Sequence, residues 1–122
     1  MEKFEFANNI LELDLCGKPF SIEVDEETIK KCEKIRCDAS AKLTALKCGG
    51  EDAKTADICG FLASGIDELL GGGAAAEIFG TRRMALLDLT DLLSFILEKI
   101  RGVIAQRTKH YAPHRSGGAE NA

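Results

Sequence analysis

Apolar and polar residues alternate with period two from Ile10 to Cys16 and again from Phe20 to Val24, the pattern of half-buried strands. Gly17-Lys18-Pro19 between them supplies turn chemistry, so a β-hairpin is predicted, with Phe4 and Phe6 extending its first strand or adding another. An isolated hairpin is marginal in water, so its apolar face has to lie on helices. Asp25 then stands where an N-cap belongs, with Glu26 and Glu27 meeting the positive end of a helix dipole. Ile29, Cys32, Ile35, Ala39, Leu43 and Leu46 follow at spacings of three or four, one helical stripe that Gly49-Gly50 ends. A second helix is predicted from near Asp52 through Ile58, Leu62, Ile66 and Leu69, stopping at Gly71-Gly72-Gly73. Ala74–Phe79 reads as a short helix bounded by Gly80, and Thr81 as the N-cap of a last helix running to about Arg107.

In that last helix Leu86, Leu89, Leu93, Ile96, Ile100 and Val103 form a seam with heptad spacing, while Leu87, Leu92, Phe95, Leu97 and Ile104 lie outside it. Two readings stay open. Either this is the central core helix, or it buries one face at home and another in a partner. The predicted fold is mainly α, a small α+β arrangement of three long helices and one short helix with an N-terminal β-hairpin. Residues 1–107 form its single domain, and 108–122 a polar, Gly-containing tail that frays.

Composition supports an ordinary globular chain. Of 122 residues, 45% are apolar and 30% charged, too apolar for disorder, and the two prolines, Pro19 and Pro113, leave the stretch between them free for long helices. The opening Met-Glu-Lys-Phe-Glu-Phe has no basic region followed by an apolar run, and no stretch has the ~18 apolar residues that cross a bilayer. The expectation is therefore a cytosolic protein with reduced thiols, its five cysteines serving mostly as small buried hydrophobes. The net charge of −4 hides an asymmetry: residues 1–27 carry eight acids against Lys3 and Lys18, while 99–115 carry five bases and no acid. Such a split steers partners or aligns copies head to tail, or simply leaves two solvated ends of opposite bias.

Each candidate for chemistry meets an objection. Gly71–Ala76 loosely fits GxGxxA, yet that fingerprint needs a preceding strand, and the residues before it read as helix. His110 and His114 have the spacing of two metal ligands on one helical face, but Pro113 between them spoils the face and no third ligand is near. A nucleophilic cysteine needs a base beside it, and both histidines fall in the tail. The carboxylates at 23–27 and 51–52 are explained by helix N-termini and solvent. No catalytic, cofactor or metal site is thus assigned, and an enzyme is not expected. The basic run Lys99–Arg115 is the best nucleic-acid candidate, the alternative being a DNA-binding regulator using the basic C-terminal helix. Against it, the run lacks interleaved aromatics, the chain as a whole is acidic, and Gly71–Gly80 is too long for the turn of a helix-turn-helix.

The stretch Ile66-Asp-Glu-Leu-Leu-Gly-Gly-Gly-Ala-Ala-Ala-Glu-Ile-Phe-Gly80 resembles a segment of the tail assembly chaperones encoded by long-tailed bacteriophages and prophages of Gram-positive hosts. Those proteins often carry hydrophobic-Asp-x-hydrophobic-hydrophobic-Gly-x-Gly-x-Ala-x-x-hydrophobic-Phe-Gly, followed by a basic or polar residue and a final apolar helix, here Arg82-Arg83 and Met84–Arg107. The opening is similar too, a hairpin around Gly-Lys-x-Phe feeding a long helix, so the resemblance spans about residues 10–107. Within the motif Gly71, Gly73 and Gly80 take turn conformations, Ala74 permits close approach, and Ile78 and Phe79 anchor the short helix, all structural roles. The resemblance implies a protein of the host cytoplasm that coats the helical tape-measure protein before the tail tube polymerises and is absent from the virion. It implies as partners the tape-measure protein, further copies of itself, and a longer form made by ribosomal frameshifting. The apolar excess of the broad last helix, for its part, leads to the expectation that it supplies self-association or client binding, through Leu86, Leu89, Leu93, Ile96, Ile100 and Val103.

Overall fold

The structure is a computed structural model describing residues 2–48 and 55–109. Its elements are β1 (Ile10–Leu15), β2 (Lys18–Glu23), α1 (Glu26–Lys47), α2 (Thr55–Leu70), α3 (Ala74–Phe79) and α4 (Leu86–Thr108), the predicted hairpin followed by three long helices and one short one. The expected end of the first helix at Gly49-Gly50, the start of the second near Asp52, His110, His114 and the tail beyond Lys109 lie outside the described residues.

The antiparallel hairpin pairs Leu13 with Phe20 and Leu11 with Ile22, which puts the apolar residues of both strands on one face; Leu13, Leu15 and Ile22 are buried. Its turn falls one residue earlier than predicted. Cys16 (φ 58°) and Gly17 (φ 85°) form the two-residue link, and Lys18 and Pro19 belong to β2. Positive φ at both central positions matches the twist of the flanking strands, and Asp14 Oδ1 accepts the Gly17 N–H at 2.8 Å to hold it. Both strands of a two-stranded sheet are edges, where a proline is tolerated. Phe4 and Phe6 neither extend β1 nor form a strand; they are 77% and 91% exposed in the segment before β1, their rings edge to face at 4.9 Å.

Asp25 caps α1 as predicted, its Oδ1 accepting the Thr28 N–H at 2.9 Å. The last helix starts later than expected. Thr81 is not its cap; residues 81–85 form a bridge closed by Arg82 N–H to the Phe79 carbonyl at 2.8 Å, and Ala85 is the N-cap. With no side-chain cap available, Asp88 in the first turn supplies the negative charge that this end favours, and it binds the Arg82 guanidinium at 2.9 Å.

Helix α2 is the hub, packing against α1, α3, α4 and β2. Ile58, Leu62, Ile66 and Leu69 are all buried as their spacing predicts, and the largest fully buried side chains, Leu62, Ile66, Leu89, Ile96 and Ile100, place the core between α2 and α4. Where α1 meets α2, a Cβ added at Gly65 would stand 3.2 Å from Ile35 Cγ2, so the missing side chain sets how closely these helices approach. All five cysteines are free thiols, but none is fully buried: Cys16 at the hairpin turn, Cys37 on α1 and Cys48 just past its end are exposed. The acidic N-terminal segment and the basic end of α4 meet within the chain, where Arg107 Nη2 donates to the Asn8 carbonyl at 2.6 Å.

Candidate functional site

The seam assigned to another chain is taken up mostly at home. Leu89, Leu93, Ile96 and Ile100 are buried in the core, and Leu86 and Val103 are half-buried. The seam faces α2 because an apolar stripe is covered first by the nearest apolar stripe, and α2 presents Leu62, Ile66 and Leu69 to it. What α4 leaves outside is Leu87, 73% exposed, and Phe95, 43% exposed, on the face away from the seam.

Among the described residues a different surface is left open. Helices α1 and α4 each pack on α2 but barely on one another, so a groove runs between them. Its wider part encloses about 420 Å³ over Leu62, with Ala39 and Leu43 on one wall and Leu93 and Leu97 on the other. It continues as a hollow of about 150 Å³ between Ile29 and Cys32 of α1 and Ile100 and Ile104 of α4. Arg36 and Leu97 line both parts, making one trough with α1 and α4 running in opposite directions along its sides. The α1 stripe was legible in the sequence. Its covering was not: only Ile35 and Ala39 are buried, while Cys32, Leu43 and Leu46 are half-buried and Ile29 is exposed.

The rim is polar and mostly positive. Ser40, Thr44, Thr90 and Ser94 edge the wide part together with Arg36 and Lys47, and Arg101 and Glu33 edge the narrow part. Glu33 Oε2 accepts from Arg36 Nη2 at 2.7 Å, and this bond and the guanidinium charge hold its carboxyl below the usual carboxylate range. Burial pushes the Cys32 thiol up, so it stays protonated at neutral pH and serves the trough as an apolar group rather than a nucleophile. Among the described residues no group of three or more His, Cys, Asp and Glu stands together to hold a metal. None of the described helices is long and apolar enough to cross a membrane.

The motif 66–80 forms the corner from α2 to α3. Gly71 (φ 121°), Gly73 (φ 84°) and Gly80 (φ 59°) take the left-handed region that favours glycine. Ala74, Ile78 and Phe79 are buried as predicted. Asp67 was not among the motif residues expected to have a structural role. Its Oδ1 accepts the Ala75 N–H at 2.8 Å, capping α3 from the preceding helix, since the α3 N-cap Gly73 has no side chain to do so. A carboxylate four residues before Gly71 was the available signal.

Hairpin, hub helix and trough together define a small α+β protein. The chain belongs to the family described as "Family of unknown function (DUF6673)", which matches residues 16–121. No curated protein matches it. No solved structure does either.

Proposed function

We propose that this protein is a tail assembly chaperone of a long-tailed bacteriophage or prophage, binding the tape-measure protein in the host cytoplasm during tail morphogenesis and leaving before the virion is complete. The observation that carries this reading is the α1–α4 trough. An apolar floor between two helices that barely touch is surface that water covers at a cost, of order 25 cal/mol per Å², until another chain replaces it. A long helical client exposes apolar stripes of its own, and covering them before the tube closes is the work such a surface suits. The resemblance of residues 66–80 supplies the biological setting; in this fold those residues make a structural corner, away from the trough lining.

The DNA-binding alternative draws less support. Lys99 and Arg101 are two positions apart, about 200° around a helix, so they cannot share one groove-facing surface. Lys99 also lies over the Phe95 ring at 5.3 Å, and Arg107 is engaged with Asn8. Co-expression with the tape-measure protein from the same genome tests the proposal. Soluble tape-measure protein that co-purifies with this chain is the expected result. A tape-measure protein that aggregates equally with and without it refutes the proposal.

A further inference from the structure

We infer that the α1–α4 trough takes one amphipathic α-helix of the client, acidic along both flanks of its apolar stripe. The inference rests on the chaperone reading above and names the partner's chemistry and its seat.

The walls decide the shape. Leu43, Leu62, Leu93 and Leu97 offer no hydrogen-bond partner, so an extended segment laid on them would bury unsatisfied backbone N–H and C=O groups. A helix satisfies its own, and a trough with two helical walls and a helical floor is a fourth position of a bundle that no described residue fills. From Ile29 to Lys47 the α1 wall extends about 27 Å at 1.5 Å per residue, room for a helix of about 18 residues.

The rim decides the charge. Arg36, Lys47 and Arg101 line it against one acid, Glu33, which is already bound to Arg36. Carboxylates flanking the stripe of an incoming helix meet net positive charge from both walls, whereas lysines meet repulsion. The occupant is a different chain rather than a second copy. Filling five turns takes about five apolar residues on one face, and among the described residues the helices expose only Ile29, Leu87 and Phe95 as large apolar side chains.

The test uses the full-length protein and two synthetic helical peptides of about 18 residues with the same leucine stripe, flanked by Glu in one and by Lys in the other. Fluorescence anisotropy should show the Glu peptide binding at least about tenfold tighter, with Lys47→Glu/Arg101→Glu reversing the order and Leu97→Asp abolishing both. Both changed rim residues are exposed, and circular dichroism checks that each variant is folded. Equal binding of the two peptides, or an order unchanged in the double variant, overturns the inference. A dimer of the free protein that Leu97→Asp dissolves would assign the trough to a second copy and overturn it as well. Co-expression separates the two levels. Tape-measure protein retained by wild type and by both variants alike removes the trough assignment while leaving the chaperone; none retained by wild type removes both.

Discussion

Replacing Asp67 with alanine tests what the Gly-rich motif does. The carboxylate accepts the Ala75 N–H at 2.8 Å, and that N–H belongs to a residue 1% exposed, in the first turn of a helix whose own cap is a glycine. Without Asp67 the donor is left with neither a helical partner nor ready access to water. A hydrogen bond to a charged acceptor contributes about 1.5–3 kcal/mol, and losing a helix N-cap costs about 0.5–2. The ranges overlap near 2 kcal/mol, which is the loss expected here. For a chain of this length that is a fall of about 8 °C in Tm, taking roughly 4 °C per kcal/mol. Urea and thermal unfolding followed by far-UV circular dichroism at neutral pH measures it. Asp67→Asn keeps an acceptor but not the charge and should lose about half as much. An Asp67→Ala protein within about 0.5 kcal/mol of wild type, the scatter of ordinary surface changes, would refute this account of the corner.

Two further outcomes follow from the same packing. Ile96→Ala should destabilise by about 2–5 kcal/mol, because the side chain is fully buried, with no change in the mass of whatever folded protein remains by light scattering; a folded variant of altered mass would return the seam to an interface between chains. The Asp25 carboxyl is held below the usual carboxylate range by the N–H and hydroxyl of Thr28. Its contribution is therefore present above the unfolded-state pKa and is lost as pH falls through the lower, folded one. Asp25→Asn should narrow the gap in urea midpoint between wild type and variant only below the ordinary carboxylate pKa of about 3.9, and a gap constant from neutral pH down to acid would sink the argument.

The elements were legible because their signals are local. Alternation marks both strands, and Asp25 with two glutamates marks the start of α1. The misplaced features depend on geometry that residue type reports poorly. A cysteine at φ 58° is an uncommon way to build the hairpin turn, so the Gly-Lys-Pro run drew the prediction one residue along. Thr81 has the chemistry of a cap but lies five residues before α4, where Arg82 reaches across to Asp88 instead. Spacing alone tells which residues share a face, and it gave the α4 seam correctly as a set. Spacing does not tell what covers a face, and here it is α2 that covers the seam.

The apolar excess of α4 therefore has two separate explanations. One side lies on α2 and another on the hairpin, which accounts for Leu89, Leu93, Ile96 and Ile100 without any partner. The side toward α1 carries Leu97 and Ile104, and there the fold stops short of closing. Helix α1 is drawn onto α2 around Ile35, opposite Gly65, and buries only two residues fully out of 22, against five of 16 in α2. A long helix so lightly covered is the part of the molecule with most to gain from a neighbour. Its half-covered stripe and the side of α4 facing it form the same trough. The unfilled demand for apolar contact thus lies between two helices, where one incoming helix satisfies both at once, rather than along the single seam that heptad spacing suggests.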